Sequence, residues 1–135
     1  AEKYKVFAEK MSINLQKIEF INQIPHKEVV THLQKSDVFV LFSNYENLPC
    51  VILESFACGV PVIATNVGGI SEFFPKEFGS LIPPKDENAL LNNILKIHRN
   101  FKPDKKAMHN YVVENFSENK ILKKFEKLYI KSLKA

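Results

Sequence analysis

Two short, nearly uninterrupted apolar runs narrow the folds open to this chain more than any other feature. They are "DVFVLFS" (Asp37 to Ser43) and "VPVIAT" (Val60 to Thr65), with one helix-length segment between them. β-Branched and aromatic residues at strand length, without polar alternation, predict strands covered on both faces. The neighbouring segments extend the rhythm. "KIEFIN" (Lys17 to Asn22) reads as a strand and Lys27 to Gln34 as a short helix after Pro25. Pro49 opens a helix to Cys58 that Gly59 closes, a brief helical piece follows "NVGG" around Ser71 to Phe74, and "GSLIPP" is a further strand. Strand, helix, strand, helix, strand is the pattern of an α/β fold, a parallel sheet with helices on both faces.

The ends of the chain are helical. Tyr4 to Met11 looks like the end of a helix; Glu87 to Arg99, Lys105 to Asn115 and Glu118 to Leu133 follow the last strand. In the final helix Ile121, Leu122, Phe125, Leu128, Tyr129 and Leu133 form one apolar stripe, with lysines elsewhere around it. The expectation is packing against the sheet domain, with a basic helix lying on a membrane surface as the alternative.

At 135 residues the chain has the length of one domain, and its 25% charged residues exclude collagen-like and largely disordered classes. No apolar run reaches the ~20 residues of a membrane span, and "AEKYKVFAEK" lacks the apolar centre of a leader peptide. A cytoplasmic location is expected, at most peripheral to the inner face of the membrane. The net charge of +4 is uneven: from Lys96 onward eleven Lys or Arg stand against four acids. Only Arg99 among these bases is an arginine, which argues against nucleic acid as a partner, because the guanidinium is the better reader of phosphates and base edges. Cys50 and Cys58 fall ~12 Å apart along one helix, too far for a disulfide, and read as small apolar fillers.

The helix "PCVILESFAC" is apolar on nearly every side, yet Glu54 interrupts it. A sealed, unpartnered carboxylate there would cost several kcal/mol, so Glu54 must face a cleft, meet a cation such as a lysine, or accept hydrogen bonds. A ribose diol suits it, since one carboxylate accepts from two adjacent hydroxyls. If Pro49 is the first helical residue, the cap falls to Leu48, which has no side-chain oxygen for the amides of Cys50 and Val51. Those donors and the positive end of the helix make a phosphate site, with Glu54 ~6–7 Å further along the axis. Glu46 precedes the helix, in the loop leaving a strand, where α/β folds bind ligands; it reads either as an acceptor for sugar hydroxyls or as an exposed loop acid. Gly68 and Gly69 allow close backbone approach, although no dinucleotide-binding G-x-G-x-x-G is present.

The run "YENLPCVILESFACGVPVIATNVGGISE" resembles the Glu-x7-Glu region, and the following Gly-x-Pro-Val and Gly-Gly-x-x-Glu segment, of family-4 retaining glycosyltransferases of the GT-B fold. The resemblance extends loosely from about Ile18 to Pro84, and "VVENFSENKILKKFEKLY" is similar to the family's C-terminal helices. It implies the Rossmann-like, donor-binding C-terminal half of such an enzyme, taking a nucleotide diphosphate sugar and passing the sugar to a glycan or lipid-linked acceptor, with no metal and no cofactor. Cell-envelope or capsular polysaccharide assembly is the implied setting.

Carried onto this sequence, the resemblance makes Glu46 the catalytic acid against the donor sugar and Glu54 the ligand of the ribose. It makes Leu48, Cys50 and Val51 contacts of sugar and diphosphate, Gln23 and Ile24 contacts of the base, and Gly68 and Gly69 a loop facing the cleft. Asn47 stands where the family most often has glycine, which suggests a left-handed turn there. The family's diphosphate-holding arginine and lysine would lie ahead of Ala1. The expectation is therefore a single domain over residues 1–135, truncated at its N-terminal edge and catalytically inactive by itself. The alternative is a non-catalytic sugar-nucleotide-binding or interaction module of the same fold.

Overall fold

The computed structural model describes residues 2–11 and 14–133. Three strands, β1 (Phe39–Leu41), β2 (Val62–Thr65) and β3 (Gly79–Ile82), form a parallel sheet in the order β1-β2-β3. Among the described residues six α-helices accompany them: α1 (Glu2–Lys10), α2 (His26–Gln34), α3 (Cys50–Ala57), α4 (Glu87–Asn100), α5 (Lys105–Phe116) and α6 (Glu118–Leu133). The α/β reading holds.

The centre of the sheet is β2, buried at all four positions. Val62 and Ala64 point into a core with Ile52 and Phe56 of α3, Met108 of α5 and Phe73, Phe74 and Phe78 from the segment before β3. Ile63 alternates to the other face, where α4 lies against β2 and β3. Aromatic edges knit the first layer: Phe56 stands 5.3 Å, ring centre to ring centre, from both Phe74 and Phe78, and Phe78 stands 5.5 Å from Tyr111. These T-shaped contacts add to the area that the rings bury. The Tyr111 hydroxyl donates to the Phe73 carbonyl at 2.7 Å, and burial, with the Glu77 charge second, pushes its pKa above the ordinary tyrosine value.

Several expectations fail for local reasons. "KIEFIN" forms no strand: Leu15–Lys17 is a 3-10 turn, and residues 18–22 run without ladder hydrogen bonds, with Ile18 and Ile21 exposed. Strand-forming residues make a strand only where a neighbouring strand answers their backbone groups. For the same reason β1 is not buried on both faces; it is an edge strand with Val40 exposed. The helical piece expected at Ser71 to Phe74 is a 3-10 turn over Ile70–Glu72, with another at Lys76–Phe78. Pro75 between them removes a backbone donor and prevents one continuous helix.

The largest departure is α6. None of its residues is buried, and Leu122, Phe125, Leu128, Tyr129 and Leu133 are exposed. It meets α5, where Lys124 donates to the Asn115 carbonyl at 3.2 Å and lies 5.8 Å from the centre of the Phe116 ring. No described helix is long and apolar enough to cross a membrane.

Candidate functional site

The site is assembled at the carboxyl ends of β1 and β2. The chain leaves β1 at Leu41 and turns through Ser43 to Glu46 before entering α3; it leaves β2 at Thr65 and turns through Gly68 and Gly69. Thr65, fully buried, clasps the first turn: its hydroxyl donates to the Ser43 carbonyl at 2.6 Å and accepts from the Ser43 amide at 3.1 Å. The Ser43 hydroxyl in turn donates to the Glu46 carboxylate at 2.7 Å. Glu46 is thus half-buried and anchored through Ser43 to the end of the central strand, not a free loop acid. Sequence reasoning missed Ser43 and Thr65; hydroxyl residues ending two neighbouring apolar strands were the available signal.

The glycine loop lies directly on the Glu46 turn. Gly68 has φ +57°, and a Cβ there would overlap the Glu46 carbonyl oxygen. A Cβ at Gly69 would come no nearer than 3.5 Å to the Asn47 carbonyl, so only Gly68 is required by the packing. Asn47 is not left-handed; Lys85 is the one non-glycine residue with positive φ among those described. The tight fit is met by the glycine across the gap.

Helix α3 starts one residue later than the sequence suggested. Pro49 is the cap, with extended ψ of 101°, and its carbonyl accepts from the Ile52 amide at 3.0 Å. The consequence survives the correction, because proline offers no side-chain acceptor and no cap hydrogen bond forms. The amides of Cys50 and Val51 have no protein acceptor among the described residues. Leu48, in the loop before the cap, is exposed. At the other end Gly59, φ +71°, closes the helix with paired bonds from Gly59 to Phe56 and from Val60 to Ser55, both 2.9 Å. Cys50 is exposed at the first position and not a core filler; Cys58 is half-buried, and both are free thiols. Burial, with the charge of Glu54 second, pushes the Cys58 thiol up.

Glu54 sits one turn into α3, and its partner is a histidine rather than a lysine. The Nε2 of His26, first residue of α2, lies 3.2 Å from Glu54 Oε1. Gln23 and Ile24 occupy the loop just before Pro25 and α2, the former exposed and the latter half-buried. The structure therefore sets the Glu46–Asn47 turn against Gly68 and Gly69, with Leu48, Cys50 and Val51 following it in the chain, while Gln23 and Ile24 precede His26, the partner of Glu54. Two cavities, of about 420 and 450 Å³, lie elsewhere: one at the amino ends of the strands near Asp37 and Pro61, the other along β3.

The family described as glycosyl transferases group 1 matches residues 1–126. The chain belongs to this family. Among its relatives, a putative teichuronic acid biosynthesis glycosyltransferase, TuaC, of Bacillus subtilis is 43% identical over 74 residues, covering 55% of this chain and 19% of that protein. The UDP-Gal:alpha-D-GlcNAc-diphosphoundecaprenol alpha-1,3-galactosyltransferase of Escherichia coli is 34% identical over 101 residues, 73% of this chain and 26% of the relative. A solved sucrose-phosphate synthase from Thermosynechococcus elongatus superposes with a TM-score of 0.85 at 29% identity, over 98% of this chain and 34% of that one. The sheet and its helices thus match the Rossmann-like C-terminal domain of the GT-B fold. The chain spans about a fifth to a third of the length of these proteins.

Proposed function

We propose that this group 1 chain binds the nucleotide diphosphate sugar in a retaining glycosyltransferase that delivers the sugar to a glycan or lipid-linked acceptor. One observation carries the reading. The amides of Cys50 and Val51, uncapped among the described residues, open α3 after the Glu46 turn, and Glu54 follows one turn later with one oxygen that no described residue engages. Backbone donors at a helix N-terminus suit a diphosphate, and the carboxylate ~6 Å beyond suits the ribose. The names of the relatives agree with it, since the Escherichia coli protein takes UDP-Gal and a diphosphoundecaprenol-linked acceptor.

In this mechanism the residues of the chain position and stabilise. The helix end takes up negative charge as the diphosphate leaves the anomeric carbon, where preorganised donors act without reorganising. Glu46, held by Ser43, accepts hydrogen bonds from the sugar; Gln23 and Ile24 meet the base with their backbone. Leu48 and the Gly68–Gly69 loop border the sugar. No metal or cofactor enters the proposal. The chain spans only about a fifth to a third of these relatives, and the proposal takes acceptor contacts and cations for the diphosphate from outside it, with the 135-residue chain inactive by itself. Peripheral attachment to the inner membrane face is part of the same proposal, supported by the exposed apolar stripe and lysines of α6.

The deciding measurement is calorimetric titration with nucleoside diphosphates. Glu54→Gln should weaken binding about tenfold or more, the loss expected when charge-assisted hydrogen bonds to a carboxylate are removed. Binding that ignores this change would favour a module that keeps the fold without a donor cleft.

A further inference from the structure

Among the described residues only one basic side chain comes within 4.0 Å of a carboxylate, and it is His26 on Glu54. The chain has nineteen Lys and Arg, yet none of those described is spent on this acid. An exposed pair of this kind contributes little to stability: the His26 side chain is 70% exposed and that of Glu54 29%. Its interest lies in position.

His26 follows the Gln23–Pro25 loop and begins α2, while Glu54 projects from α3. Their hydrogen bond joins two elements at the site and engages only Oε1. The other oxygen, Oε2, has no protein partner among the described residues. For Nε2 to donate, the ring must carry its proton there, as it does in one neutral tautomer and in the imidazolium. Both forms hold the same oxygen.

We propose that His26 is a positioning residue for the ribose: it holds Glu54 by Oε1, sets the plane of the carboxylate and leaves Oε2 to the sugar hydroxyls. The same bond ties the loop proposed to meet the base to the acid proposed to meet the ribose. This inference rests on the donor-binding reading of Glu54. A histidine immediately after the proline of a base-side loop is therefore part of the nucleotide site without touching the nucleotide.

The test compares UDP, ADP and GDP with their 2′-deoxy counterparts, by calorimetry, on the unaltered protein and on His26→Ala, His26→Gln and Glu54→Gln. Circular dichroism checks that each variant folds, which exposure of His26 favours. The unaltered protein should prefer the ribonucleotide. His26→Ala should weaken that ligand roughly three- to fivefold, the scale of one exposed charge-assisted bond, and shift the deoxy ligand by less than about twofold, narrowing the preference. His26→Gln, whose side-chain amide can donate to the same oxygen, should restore most of the discrimination.

A preference unchanged in His26→Ala but lost in Glu54→Gln overturns the role of His26 and leaves the donor site standing. Equal binding of ribo- and deoxyribonucleotides by the unaltered protein, or no binding of any of the three pairs, overturns the ribose reading of Glu54 and the inference with it.

Discussion

Helices α3 and α6 both offer apolar residues to a neighbour and meet opposite fates: α3 is apolar on nearly every side, whereas α6 carries one apolar stripe among lysines. In α3, Ile52 and Phe56 are fully buried against β2 and α5, and the single acid is the one at the proposed site. In α6, Phe125 keeps 55% of its surface exposed and no residue is buried. An all-round apolar helix such as α3 is covered by a second layer, while the single stripe of α6 is left uncovered by the described residues. Amphipathic spacing identifies a face; it does not say what covers that face.

The sharpest way to break this contrast is a cavity. Phe56→Ala removes a ring that contacts two others, and should cost about 3–5 kcal/mol in denaturant unfolding, the range for an emptied aromatic site. A loss under 1 kcal/mol would mean that α3 is not the centre of the core.

Gly68→Ala comes next. Its left-handed backbone and the overlap with the Glu46 carbonyl should cost about 1–3 kcal/mol and should weaken nucleoside diphosphate binding as the two loops part. An unaltered unfolding midpoint and unaltered affinity would contradict the packing of the glycine loop on the Glu46 turn.

Tyr111→Phe should cost about 1 kcal/mol through its hydrogen bond to the Phe73 carbonyl. Its effect also depends on pH. The folded-state pKa of Tyr111 is raised above its ordinary value of 10.0, so the tyrosine contributes stability that is full below pH 10 and lost as pH rises through the folded value. Alkaline denaturation should therefore be blunted in the phenylalanine variant.

The smallest effect belongs to α6. Phe125→Ala should change the stability of this chain by less than about 0.5 kcal/mol, as exposed substitutions do. A cost near that of Phe56→Ala would erase the distinction between the two helices.

How much of this was legible beforehand follows the reach of each interaction. The Gly59 stop was readable because a glycine after an apolar run marks a local backbone need that neighbouring residues supply. The amides at Cys50 and Val51, without an acceptor among the described residues, were readable too, even with the cap misplaced by one residue, since neither Leu48 nor Pro49 offers a side-chain oxygen. By contrast, the failure of residues 18–22 to form a strand, and the pairing of Glu54 with His26 instead of a lysine, involve partners distant in the chain. The same is true of the Thr65–Ser43–Glu46 relay, whose ends are nineteen residues apart.

The order of strands and α-helices from α2 onward, the burial of β2, the α-helix boundaries to within a residue or two and the placement of two acids around an uncapped helix were determined by sequence alone, because they depend on periodicity, proline and glycine within a few positions. Tertiary structure decided which faces are covered and which oxygen each carboxylate spends on the protein. Those outcomes depend on what another segment brings to the same point in space, and no local spacing encodes that distance.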